Sequence, residues 1–238
     1  MSTVLITGAS RGLGLEFARQ YAAAGWDVIA TARSPATATE LADVKRRAAG
    51  NVTIEALDVV NAGQIGWVAG KYAETAIDVL INNAGTLGPR GAVYDLIHQQ
   101  YFGSINYDAW RAVLEVNTLA PIRIAEAFAD QVARSEQRKM VFISSTVGSN
   151  VEGSYDVFPY CSSKAALNKC VTMLARATHD RGIIATAVCP GHVRTALGGA
   201  SADMEAADSI AALRKLIARL TLTESGSYLR HNGETIAW

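Results

Sequence analysis

Tyr160 and Lys164 lie four positions apart in the segment PYCSSKAALNKCVTMLARA, whose apolar spacing predicts a helix. Side chains at positions i and i+4 share one face of a helix, so a single rigid element can hold both groups. A free tyrosine has a pKa of about 10, which is too high for proton exchange near neutrality, and a nearby ammonium group lowers it. The pair could therefore supply an acid/base group, although a lone Tyr-x-x-x-Lys pair more often marks a solvated helix face.

A strand-like run, a glycine-rich turn and a helix-like segment open the chain, in the order TVLITGASRGLGLEFARQYAAAG. Gly8, Gly12 and Gly14 allow a tight turn and a close approach of the backbone to a phosphate group. The helix that follows offers free N–H groups to a pyrophosphate. Taken alone, the turn is also typical of an ordinary strand-to-helix connection. Together with the Tyr160–Lys164 pair, it predicts an enzyme that transfers a hydride between a nicotinamide and a carbonyl or alcohol.

The composition limits the class of partner. The 238 residues include 22 basic and 22 acidic ones and carry no net charge, so we expect neither nucleic acid nor a membrane as partner. No apolar run approaches the ~20 residues of a membrane helix, and Met1 leads directly into the first strand without a secretory signal. Cys161, Cys170 and Cys189 have no metal-ligand spacing and predict reduced thiols in a cytoplasmic protein. We expect no bound metal.

Strand-like and helix-like runs alternate along the whole chain, which predicts one α/β domain over 1–238. Alternation of this kind indicates a doubly wound, Rossmann-like parallel sheet with helices on both faces and ligands beyond the carboxyl ends of the strands. The strands are predicted at 3–7, 27–32, 52–57, 77–82, 139–144, 183–189 and 226–230. The clearest helices are predicted at 107–134, 156–179 and 206–220.

One connection, 86–108, has no clear period and carries the aromatic residues Tyr94, Tyr101 and Phe102. Long connections in compact domains often form lids or binding loops. We expect this segment to border the substrate pocket, and a subunit contact is the equal alternative.

Several short motifs follow one another in a fixed order: TGASRGLG at 7–14, LDV at 57–59, NNAG at 82–85, Asn117, SST at 144–146, YCSSK at 160–164 and PGHVRT at 190–195. With them, the chain resembles the short-chain dehydrogenase/reductase family over nearly its whole length. The opening TGASRGLGLEFARQY and the closing YLRHNGETIAW resemble the C-factor/sniffer-like carbonyl reductase branch of that family.

The resemblance implies four catalytic residues. Tyr160 would be the acid/base, and Lys164 would lower the pKa of that tyrosine and hold the nicotinamide ribose. Asn117 would anchor a water molecule between the lysine and solvent. A serine would bind the substrate oxygen, and of the pair Ser144 and Ser145 we favour Ser145. A homodimer or homotetramer, assembled through the helices of 107–134 and 156–179, is also implied.

The resemblance also implies the residues that hold the cofactor. Asp58 would accept a hydrogen bond from the adenine amino group, and Val193 and Thr195 would bind the carboxamide. The full set of implied contacts is Gly8, Ser10, Arg11, Gly12, Leu13, Gly14, Arg33, Asp58, Val59, Asn83, Ala84, Gly85, Tyr160, Lys164, Pro190, Gly191, Val193 and Thr195.

The end of the second predicted strand indicates which nicotinamide cofactor is used. Folds that prefer NAD usually place an acidic side chain there for the ribose 2′-hydroxyl. This chain has Ala32 and Arg33 instead, and Arg11 lies within the glycine turn. A guanidinium group can bind a 2′-phosphate in a bidentate manner, so we predict NADP(H) in preference to NAD(H). For Arg33 alone, an exposed loop charge is the alternative interpretation.

The leading hypothesis is thus an NADPH-dependent reductase of a small-molecule carbonyl, or the reverse oxidation of an alcohol. A cofactor-binding regulatory protein on the same fold, with incidental turnover, is the rival. A dehalogenase variant of the fold is disfavoured, since such a protein lacks the glycine turn and replaces the lysine with arginine. The sequence does not identify the substrate.

Overall fold

The computed structural model describes residues 1–48, 51–88, 100–153 and 156–238. Within these ranges the strands form one parallel sheet in the order β3-β2-β1-β4-β5-β6-β7. Their bounds are Thr3–Ile6 (β1), Asp27–Ala32 (β2), Val52–Ala56 (β3), Val79–Asn82 (β4), Lys139–Ile143 (β5), Ile184–Cys189 (β6) and Tyr228–Arg230 (β7). The predicted doubly wound sheet is confirmed. Its strand order reverses between β1 and β4, where ligands bind in folds of this kind.

Helices cover both faces of the sheet. They span Gly12–Ala23 (α1), Thr39–Arg47 (α2), Ala62–Lys71 (α3), Tyr107–Leu114 (α4), Ala120–Ala127 (α5), Ala129–Arg134 (α6), Phe158–Ala177 (α7) and Ala206–Arg219 (α8). Residues of α1, α2 and α8 share one apolar cluster, and residues of α3, α5 and α7 share the other. Val4, Leu5 and Ile6 of β1 alternate between the two clusters, and burial of both faces explains why these three successive residues are apolar.

The single helix predicted over 107–134 is wrong, because this stretch is divided into α4, α5 and α6. A π-helical turn, Glu115–Leu119, separates α4 from α5. Pro121 follows that turn, and it has no N–H group to donate to the carbonyl of Asn117, four residues earlier. A widened turn before the proline avoids this conflict in the hydrogen-bond ladder. The second break is at Phe128, where φ is −109° and ψ is 9°.

The remaining sequence expectations concern membrane-spanning helices, metal sites and the cysteines. None of the described helices combines the length and the apolar character of a membrane-spanning helix. Across the described ranges, no group of three or more His, Cys, Asp or Glu side chains has the arrangement of a metal site. All three cysteines are free thiols, of which Cys189 is buried.

Candidate active site

Helix α7 brings Tyr160 and Lys164 together at the carboxyl edge of the sheet. The Lys164 Nζ atom lies 5.7 Å from the centroid of the Tyr160 ring. The same nitrogen donates to the carbonyl oxygen of Ile143, the last residue of β5, at 2.8 Å. Lys164 is only 5% exposed, and burial lowers its pKa to about 8. Its charge is therefore retained at neutral pH and lost above pH 8.

Tyr160 is in an environment that favours the protonated phenol. Burial is the largest influence and raises its pKa above the ordinary value. The neighbouring Cys189 acts in the same direction, whereas hydrogen bonding to the Ser145 side chain lowers the pKa. The Tyr160 phenol is therefore protonated at neutral pH, and the hydrogen bond to Ser145 is the contact that lowers its pKa.

The two serines after β5 lie in different environments. The Ser144 hydroxyl is buried and donates to the Oδ1 atom of Asn168 at 2.6 Å. Ser145 begins the short turn Thr146–Gly148, and its hydroxyl is directed at Tyr160. Ser144 is therefore committed to a structural contact, and Ser145 is the serine next to the predicted acid/base.

Asn117 lies in the π-helical turn and is fully buried. Its Oδ1 atom accepts from the Thr86 N–H at 2.9 Å, and its Nδ2 atom donates to the Thr86 carbonyl at 2.8 Å. The same Nδ2 atom donates to the Ser163 hydroxyl at 3.0 Å, which joins the turn to α7. Both Nδ2 hydrogens and the Oδ1 atom take part in these contacts, so Thr86 and Ser163 fix the Asn117 side chain.

The glycine turn packs directly against the NNAG turn that follows β4. Gly8 has a φ of +67°, and a Cβ atom on it would lie 3.0 Å from the Ala84 Cα atom. Asn83 fixes the turn by donating from Nδ2 to the carbonyls of Thr7 and Gly8, at 2.9 and 3.2 Å. A Cβ atom on Gly14 would lie 2.5 Å from this Asn83 nitrogen. Bare glycines are thus required for the two turns to meet at the switch point of the sheet.

Other predicted cofactor contacts line the same edge. Ser10 and Arg11 connect β1 to α1, and Gly12 and Leu13 are the first residues of α1. Arg33 follows β2, Asp58 and Val59 follow β3, and Gly85 follows β4. Arg11 and Arg33 are exposed, and neither guanidinium forms a hydrogen bond or ion pair with another described residue. A Cβ atom on Gly85 would lie 3.8 Å from Lys164 Nζ, so this glycine leaves space beside the lysine.

The segment after β6 folds back on itself. Pro190 and Gly191 leave the strand, and the stretch 192–205 is closed by a bridge between Val193 and Met204. Arg194 strengthens the closure by donating to the Ala202 carbonyl at 2.7 Å. Thr195 lies opposite the glycine turn, 3.7 Å from where a Cβ atom on Gly12 would be. Thr195, one of the two predicted carboxamide contacts, thus faces the predicted phosphate-binding turn.

The segment 86–108 is described only in part, since Tyr94 and the other residues of 89–99 lie outside the described ranges. Of the described aromatics, Phe102 is 87% exposed, and its ring centroid lies 6.3 Å from that of Phe158. The Phe158 N–H donates to the Gln100 carbonyl at 3.1 Å. The end of this segment therefore contacts the beginning of α7, the helix that carries Tyr160 and Lys164.

Three residues that the sequence did not single out adjoin the candidate catalytic group. Asn168 accepts from Ser144, Cys189 is a buried neighbour of Tyr160 and Lys164, and Tyr228 donates to the Ser145 carbonyl. Asn168 has a usable signal, because it lies one helical turn after Lys164. The other two come from β6 and β7, and only the tertiary fold brings them to the site.

Comparisons with known proteins identify the family of the chain. The family model for short chain dehydrogenases matches residues 2–206. C-signal from Myxococcus xanthus is 29% identical over 165 residues, covering 68% of this chain and 93% of that protein. The carbonyl reductase Sniffer of D. melanogaster is 26% identical with a TM-score of 0.88, covering 100% of both chains. A short-chain dehydrogenase/reductase from Burkholderia multivorans with bound NADP is 29% identical with a TM-score of 0.86, covering 100% of this chain and 99% of its own. The chain therefore belongs to the short-chain dehydrogenase family of NAD(P)-dependent oxidoreductases.

Proposed function

We propose that residues 1–238 form one NADP(H)-binding domain that reduces an aldehyde or ketone to an alcohol, or catalyses the reverse reaction. The observation that carries this proposal is the meeting of Tyr160, Ser145 and Lys164 at the carboxyl edge of the sheet. Burial keeps the Tyr160 phenol protonated, which is the form that carbonyl reduction requires.

The described residues suit a dinucleotide. Bare glycines, the free N–H groups at the start of α1 and two unpaired arginines accommodate the phosphates, and Gly85 leaves space beside Lys164. The bound cofactor would supply the hydride. Tyr160 donates the proton to the substrate oxygen, and Ser145 hydrogen-bonds to that oxygen as negative charge develops. The Lys164 ammonium holds the ribose and favours the phenolate that remains after proton transfer.

We also propose a preference for NADP(H). Arg33 is exposed at the end of β2, in the place where an acidic residue would repel a 2′-phosphate, and Arg11 is exposed on the adjoining turn. Neither guanidinium is neutralised by another described side chain. The similar protein from Burkholderia multivorans was solved with NADP bound, which also supports this choice.

The direct test is to follow NADPH absorbance while the purified protein is offered a panel of aldehydes and ketones. We expect oxidation of NADPH by the wild type, and none by Tyr160→Phe, which loses the proton donor and keeps the ring. NADPH binding without turnover on any carbonyl would instead favour a cofactor-binding regulatory role. The 29% identity to a protein named C-signal makes that second candidate worth the comparison.

Assembly and location are part of the proposal. Tyr107 of α4, Leu119 of the π-helical turn and Met173 of α7 are 62%, 51% and 57% exposed. Large apolar side chains on these helices suit a homodimer or homotetramer that buries them. The three free cysteines suit a reducing, cytoplasmic location. Light scattering on the purified protein would give the oligomeric mass.

A further inference from the structure

The carbonyl group of Ser145 is held by a tyrosine from the other end of the chain. The hydroxyl of Tyr228, the first residue of β7, donates to the Ser145 oxygen. Tyr228 is completely buried and pairs with Ala187 of β6. Because β6 lies between β5 and β7, this contact joins the edge strand of the sheet to the loop after β5. A side chain placed in this way can fix the main chain of that loop.

Ser144 and Ser145 differ in how firmly they are anchored. Ser144 is fixed twice, because its N–H donates to the Val188 carbonyl at 2.8 Å and its hydroxyl donates to Asn168. Apart from its contact with Tyr160, the Ser145 hydroxyl has, among the described residues, one long contact of 3.5 Å, from the Val147 N–H. Its position therefore depends on the Ser145 main chain, whose carbonyl accepts from the Gly148 N–H at 3.0 Å and from Tyr228.

The same C-terminal segment contacts this loop at a second point. The Arg230 guanidinium forms an ion pair with Glu152, and the Glu152 Oε1 atom accepts from the Ala237 N–H at 2.8 Å. Both contacts are made to the stretch of chain between Ser145 and Tyr160. The end of the chain thus holds the loop that carries the serine relative to the helix that carries the tyrosine.

We propose that Tyr228 is a positioning residue, whose hydroxyl fixes the Ser145 carbonyl and thereby holds the Ser145 side chain against Tyr160. This inference rests on the proposed carbonyl reduction. Burial also raises the pKa of Tyr228, so the hydroxyl remains a donor over the working pH range. The expected consequence is a specific loss of rate when the hydroxyl alone is removed.

The first experiment compares Tyr228→Phe with the control Tyr72→Phe. Both variants keep the ring and remove the hydroxyl. For Tyr72 this breaks the 2.7 Å bond to Glu55 of β3 at the opposite edge of the sheet, and for Tyr228 it removes the bond to Ser145 and a contact with Asn168. In Tyr228→Phe we expect kcat to fall roughly ten- to a hundredfold, the usual effect of misplacing a reacting group, with the Kd for NADPH unchanged. Tyr72→Phe should retain wild-type kinetics. A wild-type kcat in Tyr228→Phe overturns the proposal.

The second experiment separates positioning from a general effect on packing. If Tyr228 acts through Ser145, Tyr228→Phe should cause no further loss of rate in a Ser145→Ala background, whereas an equal loss in both backgrounds overturns the proposal. Hydrogen exchange at the Gly148 amide gives a readout without substrate. It should be faster in Tyr228→Phe, and unchanged exchange refutes the role of Tyr228. If the wild type reduces no carbonyl, the proposed function fails, and the exchange rate still decides whether Tyr228 holds Ser145.

Discussion

Replacing the two serines after β5 by alanine, one at a time, should affect different properties: Ser145→Ala should lower kcat, and Ser144→Ala should lower stability. Ser145→Ala removes a donor aimed at the developing charge on the substrate oxygen, and loss of one such donor costs about 2.7–4 kcal/mol, or roughly 100- to 1000-fold in kcat. It leaves no buried acceptor unpaired, so the melting temperature should change little. The Kd for NADPH should also be unchanged, because the serine is assigned to the substrate.

Ser144→Ala should instead lower stability with only a small effect on rate. The Ser144 hydroxyl is buried and donates to the Oδ1 atom of Asn168 at 2.6 Å, and Asn168 is itself only 1% exposed. Leaving such an acceptor unpaired costs about 1–3 kcal/mol, or roughly 3–9 °C in melting temperature for a chain of this size. Steady-state kinetics and thermal melts on both variants test the pair. A larger loss of kcat in Ser144→Ala than in Ser145→Ala would refute the assignment of the substrate-binding serine.

Three other predictions concern Tyr160, Arg33 and Lys164. Tyr160→Phe should abolish turnover and leave NADPH affinity, measured by fluorescence titration, close to the wild-type value; substantial residual activity contradicts its role as the acid. Arg33→Asp should weaken NADPH binding by about 1.5–3 kcal/mol, or one to two decades in Kd, and strengthen NADH binding; equal wild-type affinities for the two cofactors contradict the preference. Because the pKa of Lys164 is lowered from 10.5 to about 8, NADPH affinity should fall as pH rises through 8. Burial of the Lys164 charge lowers the free energy of unfolding below pH 8. This free energy should therefore rise between pH 8 and 10.5, as the buried lysine loses its proton. Lys164→Met should abolish that rise if the shifted pKa belongs to Lys164.

Much of the fold follows from local sequence. The predicted strands agree with the observed ones within two residues at each end, because most of them are largely apolar runs bounded by polar or glycine residues. The division of 107–134 was missed, since helical periodicity continues through it. Pro121 was the available signal, as it cannot donate to the carbonyl four residues earlier and so favours a break or a widened turn.

The candidate site is harder to predict from the sequence than the fold, because several of its residues come from different strands. Tyr160 and Lys164 are visible because one helix carries both, and Gly8, Gly12 and Gly14 because one turn carries them. Cys189 and Tyr228 belong to other strands, and their proximity to Ser145 and Tyr160 depends on the strand order. Contacts that span the sheet leave no fixed spacing in the sequence, so they appear only when the tertiary structure is known.

The environment of Tyr160 also changes the expected pKa values of the Tyr160–Lys164 pair. The sequence suggests that Lys164 lowers the pKa of the tyrosine, yet in the folded chain burial is the larger influence and raises it. Burial acts on Lys164 as well and lowers its pKa, so each side chain is moved toward its neutral form. Hydrogen bonding to Ser145 is the contact that lowers the pKa of Tyr160. Ser145→Ala should therefore remove the substrate-oxygen donor and also raise the pKa of Tyr160.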